Sequence, residues 1–311
     1  MKRLAILTTI LMAMPSLVFA AGGFAKVGTF GGQFLKIGVS ARATGMGSAY
    51  TGVVDDASAV FWNVGGLVNV LGNEVSLNHV TWAADTNLSS LVVAFNPRSI
   101  PGTFALSARS YWMDPMLERT ARNPEGTGHT FDAGMSSYGL SYARFFTDKF
   151  STGFTLNYLH MALAEAVVNS GSFDFGIMYR IGIRDLKLGM TIQNLGGKYK
   201  YDDRESKLPV IFKVGSSFTV FQTERQHMLA AVEFQHPSDN LERSNVGLEY
   251  NLNDFFFLRG GYHINYDSDG VAGGFGVSVP TGETTDIVAD YSAVDMDALG
   301  IAHRITVRVI F

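Results

Sequence analysis

The stretch "HRITVRVIF", residues 303–311, alternates two kinds of side chain and then ends. Successive strand residues point to opposite sides, so Ile305, Val307, Val309 and Phe311 share one face, and Arg304, Thr306 and Arg308 share the other. Chain ends fray unless something holds them, so an apolar strand here predicts a pairing partner. The alternation alone fits a water-facing sheet as well as a lipid-facing one; the strands upstream decide between them.

Working back to residue 74, the chain divides into alternating segments separated by turn residues. The reading is fourteen strands, near 74–82, 87–95, 103–112, 130–145, 150–161, 172–180, 185–194, 208–219, 226–236, 244–251, 255–265, 271–279, 285–293 and 302–311. In "FDFGIMYR" (173–180), Phe173, Phe175, Ile177 and Tyr179 oppose Asp174, Gly176, Met178 and Arg180. In "LKLGMTIQ" (186–193), Lys187 sits on the polar face, and in "VGLEYN" (246–251) Glu249 does. A soluble sandwich alternates too. A charged inner face, however, belongs to the lumen of a membrane barrel.

Connection lengths point the same way. With strand one running outward, the outer loops include 113–129, 162–171, 195–207, 237–243 and 294–301, whereas 146–149, 181–184, 252–254 and 280–284 are tight inner turns. Aromatic residues gather at the strand ends: Trp82, Trp112 and Tyr266 outside, and Phe95, Phe145, Phe150, Phe255 and Phe311 inside. Rings of this kind favour the headgroup level. Hydrocarbon offers backbone groups no partner, so an open sheet edge is not tolerated and strand fourteen must close on strand one. Residues 303–311 are then the closing strand. Ile305, Val307, Val309 and Phe311 face lipid, while Arg180, Lys187, Glu249, Arg304 and Arg308 supply lumen charge. The expected fold is an all-β, 14-stranded antiparallel transmembrane barrel, residues 73–311.

The first residues set the compartment. "MKRLAILTTILMAMPSLVFA" (1–20) has a basic start, an apolar run and a small-residue cleavage pattern, so residues 1–21 read as a secretory signal. The apolar run is shorter than the ~20 residues a membrane helix needs. There is no cysteine, which excludes disulfide staples and a cysteine-linked lipid anchor. A net charge of −4, with no basic block, argues against nucleic acid.

Residues 22–72 read differently from the strands. "GGQFLKIGVSARATGMGSAYTGVVDDASAVFWNVGGL" (31–67) does not alternate and is rich in small residues. Asp55, Asp56 and Ser58 open a short helix ending near Trp62, with Gly65 and Gly66 as its expected stop. A fourteen-stranded barrel is too wide for its own side chains to fill, so this segment is expected to be a plug.

Phe34, Gly38, Ala41, Arg42, Gly45, Met46, Gly47, Asp55, Asp56, Trp62 and Asn63 resemble the N-terminal signature of the PorV/PorQ outer-membrane proteins. Asp290-Tyr291, Leu299-Gly300, His303-Arg304 and Phe311 resemble that family's C-terminal end, and Ile192-Gln193-Asn194-Leu195-Gly196 is similar to a motif of the wider FadL-like barrels. One departure is Asn63-Val64-Gly65-Gly66-Leu67, where that family reads Asn-Pro-Ala-Gly-Leu. The loss of proline frees φ and restores an N–H. The resemblance further implies an outer-membrane place and recognition of the terminal aromatic by the barrel-insertion machinery.

Candidate chemistry is sparse. "GGFGVS" (273–278) lacks the strand–helix context of a nucleotide loop. Asn78-His79 could seed a lipase-type triad, but no orienting partner is evident. Asp267 and Asp269 read as a polar hairpin tip rather than a calcium loop, and the remaining histidines lack metal spacing, so neither enzyme chemistry nor a cofactor is expected. Two functions remain. The PorV/PorQ resemblance implies an accessory of type IX protein secretion that receives client proteins. The FadL-like resemblance implies a transporter of hydrophobic small molecules. The polar loops 113–131 and 196–207 favour the first; a general porin is weaker because a plug would obstruct it.

Overall fold

The computed structural model describes residues 29–97, 99–201 and 204–311, so the expected signal segment lies outside the described residues. Fourteen strands close into one antiparallel barrel. Numbered along the barrel, they are β1 (Glu74–Thr81), β2 (Thr86–Phe95), β3 (Thr103–Met113), β4 (Ala133–Phe145), β5 (Phe150–Leu163), β6 (Ala166–Arg180) and β7 (Lys187–Gly196). They continue as β8 (Ile211–Gln222), β9 (Gln226–Pro237), β10 (Arg243–Leu252), β11 (Phe256–Ile264), β12 (Val271–Pro280), β13 (Asp286–Asp295) and β14 (Ile301–Ile310).

Closure is made by β14 against β1, in a register running from Glu74 opposite Ile310 to Thr81 opposite His303. Past the last rung, Asn73 and Phe311 exchange two backbone hydrogen bonds of 2.8 and 2.9 Å. Ile305, Val307 and Phe311 are exposed on the outside, while Arg304, Thr306 and Arg308 are buried within. The same division holds around the wall, with Leu77, Leu106, Leu140, Leu156, Phe175, Leu248 and Phe275 among the exposed outer residues. Neighbouring strands stay in register except at bulges between β6 and β7 and between β8 and β9.

Three expectations need correction. The outer loop 162–171 does not exist: β5 and β6 run on to pair Leu163 with Ala166 around a two-residue turn. The alternation fades there, yet the ladder continues in register, and across it the His160 Nδ1 and Asn169 Oδ1 side-chain atoms lie 2.8 Å apart. Trp82 and Tyr266 do not belong to an aromatic belt; both turn inward beneath arginines. Gly65 and Gly66 do not stop a helix. The helix that Asp56 and Ser58 open, α2 (Ala59–Trp62), ends at Asn63 in extended backbone, and the glycines lie inside a following 3-10 turn, Val64–Asn69.

Residues 29–70 fill the lumen with two further elements, the 3-10 turn Gln33–Lys36 and the helix α1 (Ala41–Gly45). The hatch backbone presses on the wall at several strand glycines, among them Gly153, Gly176, Gly189, Gly215, Gly247 and Gly261. A Cβ on Gly65 would lie 2.8 Å from the backbone of Gly176, and one on Gly47 would lie 2.6 Å from the Tyr262 nitrogen. Gly47 also has φ +60°, which only glycine adopts without strain. Composition made the hatch recognisable as a plug; the matching glycines on the strands are what let it seat.

Candidate functional site

The lumen has two tiers. In the lower one, hatch and wall share a network of buried ions. Arg42 Nε is 2.8 Å from Glu249 Oε2, and its guanidinium also pairs with Asp55 and lies 3.6 Å from Asp56. Arg259 bridges Glu249 at 2.6 Å and Asp290 at 2.7 Å. Arg308 reaches Asp290 at 3.4 Å, Asp56 at 3.5 Å and Glu74 at 3.9 Å. Tyr50 Oη and Ser58 Oγ donate to Asp56 at 2.7 and 2.5 Å. Burial alone would raise the Asp56 carboxyl, but Arg308 and Arg42 beside it hold it below the ordinary carboxylate range.

Neutral contacts extend this clamp around the hatch. The Ala41 amide donates to Thr306 Oγ1 at 2.8 Å, and the Tyr50 and Thr51 amides donate to Glu233 at 3.1 and 2.8 Å. Ser151 Oγ donates to the Gly65 carbonyl at 2.7 Å. Asn63 Nδ2 donates to the carbonyls of Thr51 and Ile177, and its Oδ1 accepts from the Gly65 amide. The Asn63 side chain thus ties the start of the Val64–Asn69 turn to the hatch and to the wall.

Above the hatch lies a cavity of about 460 Å³. Its floor and near wall come from residues 33–39, Phe61 and Trp62, and its rim from loops 266–269 and 296–299. Met135, Ile211, Val294, Met296 and Leu299 supply apolar surface. Among the cations that line it, three stand over aromatic rings of the cavity as follows. The Arg109 guanidinium lies 5.5 Å from the Phe34 ring centre and 5.2 Å from that of Phe61. Lys213 Nζ is 4.9 Å from Trp62, and Arg304 is 5.1 Å from Trp82.

The structure brings Arg42, Asp55, Asp56, Glu249 and Arg308 into the clamp and places Phe34, Gly38, Trp62 and Arg304 on the cavity. Ala41, Gly45 and Met46 are buried in the hatch. Arg180 and Lys187 stay apart from both tiers, near the turn end: Arg180 hydrogen bonds Asn69 and covers Phe145, and Lys187 lies 3.3 Å from Asp185. Arg109, Lys213 and Arg259 were missed, and Asp290 was singled out only in the C-terminal resemblance and not as a lumen charge, although each is a charge on the non-lipid face of an alternating strand. Asn78 and His79 point to opposite sides of the wall, Asn78 inward to Thr306 and His79 outward to Ser89, so they do not form one site.

The fold is that of the FadL-like barrels. It is similar to the toluene transporter TbuX of Ralstonia pickettii (TM-score 0.60, 14% identity), covering 86% of this chain and 96% of that one. It is similar to the toluene transporter TodX of Pseudomonas putida (TM-score 0.58, 12% identity), covering 94% and 98%. A Pseudomonas aeruginosa FadL homologue aligns with TM-score 0.57 at 10% identity over 88% of this chain and 98% of its own. No family model matches the sequence. No curated protein matches it either.

Proposed function

We propose that this protein is an outer-membrane passage for hydrophobic small molecules, entered from the loop end through the cavity above the hatch. The observation that carries this reading is the 460 Å³ cavity itself, within the ~300–1,000 Å³ of small-molecule sites and floored by a clamped hatch. The similar barrels named as toluene transporters support the same reading. A secretion accessory, the role implied by the PorV/PorQ resemblance, finds no support in these similarities. The outer-loop polarity that favoured it is also outweighed, because the apolar surface is recessed inside the barrel rather than displayed on loops 113–131 and 196–207. Passage beyond the cavity requires the segment at residues 33–38 or the hatch to shift, since the strand ladder is closed on every side.

The test is uptake by cells carrying or lacking the gene. Expression should raise entry of a labelled toluene-sized probe several-fold, with surface export of secreted proteins unchanged. Stalled export in the deletion strain with unaltered uptake would select the secretion role instead.

A further inference from the structure

The outer surface of the barrel is not uniform. On β1–β6 one outward residue of each strand is polar, and the register sets these residues side by side. His79 is opposite Ser89, Ser89 opposite Ser110, Ser110 opposite Ser136, Ser136 opposite His160, and His160 opposite Asn169. The side chains join in pairs: His79 Nδ1 lies 3.0 Å from Ser89 Oγ, Ser136 Oγ donates to Ser110 Oγ at 3.4 Å, and His160 Nδ1 lies 2.8 Å from Asn169 Oδ1. On the opposite arc, β7–β12, the outward residues toward the loop end are Ile192, Phe212, Phe234, Val246, Tyr262 and Val271. The polar outward residues there, Ser216, His236 and Ser244, are never opposite one another.

The polar row lies between the aromatic belts rather than above them. On β3 the outward residues run Phe104, Leu106, Ala108, Ser110 and Trp112. Phe104 marks the turn-end interface, 5.8 Å from the Phe95 ring and 4.7 Å from that of Tyr142, whose hydroxyl donates to the Pro101 carbonyl at 2.7 Å. A tilted strand needs about nine residues to cross the hydrocarbon, so the apolar band that starts at Phe104 reaches Trp112 and includes Ser110. Below the row, Tyr138 and Tyr158 face each other across β4 and β5, each more than half exposed, with no hydrogen bond from either hydroxyl among the described residues. Acyl chains offer such groups nothing, so polar side chains at this depth are costly until another polar surface meets them.

Charge and shape say what that surface is. Between the belts no lysine or arginine points outward from β1–β6, so a phosphate-bearing headgroup finds no cation to pair with. The row instead mixes uncharged donors and acceptors, hydroxyls, imidazoles and an amide, and is therefore complementary to itself. Its middle is shallow, because Ser89, Ala108, Ser110, Gly134 and Ser136 carry little or no side chain, which lets a second wall approach closely. We propose that the β1–β6 wall docks a second copy of this chain within the membrane. Both copies are inserted the same way up, so the two-fold axis runs along the membrane normal. The row is perpendicular to tilted strands and thus inclined to the membrane plane, so the two rows cross at their middle, near Ser110 and Ser136. This goes beyond the transport reading and does not depend on what the lumen carries.

The chain has no cysteine, so one introduced cysteine reports on one position. Wild type extracted with its own lipid in styrene–maleic particles should sediment with twice the chain mass, a readout that needs no variant. In native outer membranes Ser110→Cys and Ser136→Cys should each cross-link into a dimer on oxidation, whereas Val246→Cys, toward the loop end of the opposite arc, should not. Ser110→Trp should keep the heat-modifiable barrel and sediment as a monomer. A monomeric wild type overturns the proposal, as does a dimer that cross-links through Val246→Cys and not through β3 and β4. A monomer carrying lipopolysaccharide that is lost in His79→Leu with His160→Leu overturns it in favour of a lipid headgroup. An adduct of any other mass overturns it in favour of a different protein.

Discussion

Arg308 and Arg42 face the lower lumen from opposite partners, one on the last strand and one on the hatch, and Asp56 lies between them. Removing one member of such a network leaves the others charged and buried, which costs about 3–5 kcal/mol. Arg308→Met should therefore lower the unfolding free energy by about that much, read by urea denaturation of the nanodisc-embedded barrel. An unchanged midpoint would mean that the lumen is wet enough to solvate Asp56, Asp290 and Glu74. The wall glycines make a second prediction at this scale. Gly176→Val would drive methyl groups into the Gly65 backbone and Asn63, so the hatch must lift or the wall must bend. Overpacking of this sort costs ~1–3 kcal/mol. It should appear as a lower heat-modification temperature on gels, whereas valine at the outward Gly273 should be silent.

Single elements decide whether the sheet closes and how its outer gate is held. The β14 strand meets β1 over its whole length, and Phe311 completes the rung with Asn73. Deleting Phe311 removes two hydrogen bonds and an exposed ring at the headgroup level, and should reduce the fraction of folded barrel in outer-membrane extracts. A folded fraction equal to wild type would show that β14 closes without its last residue. At the opposite end, the segment Gln33–Lys36 is tied to the β9–β10 loop through Asp239, which accepts from Gln33 at 2.9 Å and from Lys36 at 2.9 Å. Burial pushes the Asp239 carboxyl up, but those two donors more than reverse it and hold it below the ordinary value. A depressed folded-state pKa means the tether is fully present above the ordinary Asp value of ~3.9 and is lost as pH falls through the lower folded value. The protection of amides 31–38 against exchange, taken relative to the intrinsic rate at each pH, should therefore be flat from pH 7 to 5 and fall only under strong acid. Asp239→Asn should remove the acid step; a step already present near pH 6 would point to another group.

For the whole molecule, the hatch is what separates a gated passage from an open pore. Fourteen strands enclose a lumen wider than their own side chains fill, and the hatch backbone, its ion clamp and its glycine contacts occupy the lower half. Wild-type barrels in a planar bilayer should conduct ions poorly. A variant lacking residues 29–70 should conduct at least tenfold more. Similar currents from both would locate the block in the outer loops.

The alternation of residues 173–180, 246–251 and 303–311, with charge on one face, was enough to predict a closed membrane barrel, its strand count and the closing strand. That legibility has a simple cause: lipid on one side and lumen on the other impose a period of two that every spanning strand must write into its sequence. The plug was legible for a related reason, since small residues and caps are local signals. Which charges face the cavity and which are paired was not legible, because Arg109 and Arg308 look alike along the chain. Only closure of the barrel puts Arg308 beside Asp56 and leaves Arg109 against two phenylalanine rings, since ion pairing depends on distances between residues far apart in sequence. The direction of Trp82 and Tyr266 was decided in the same way, by arginines on other strands.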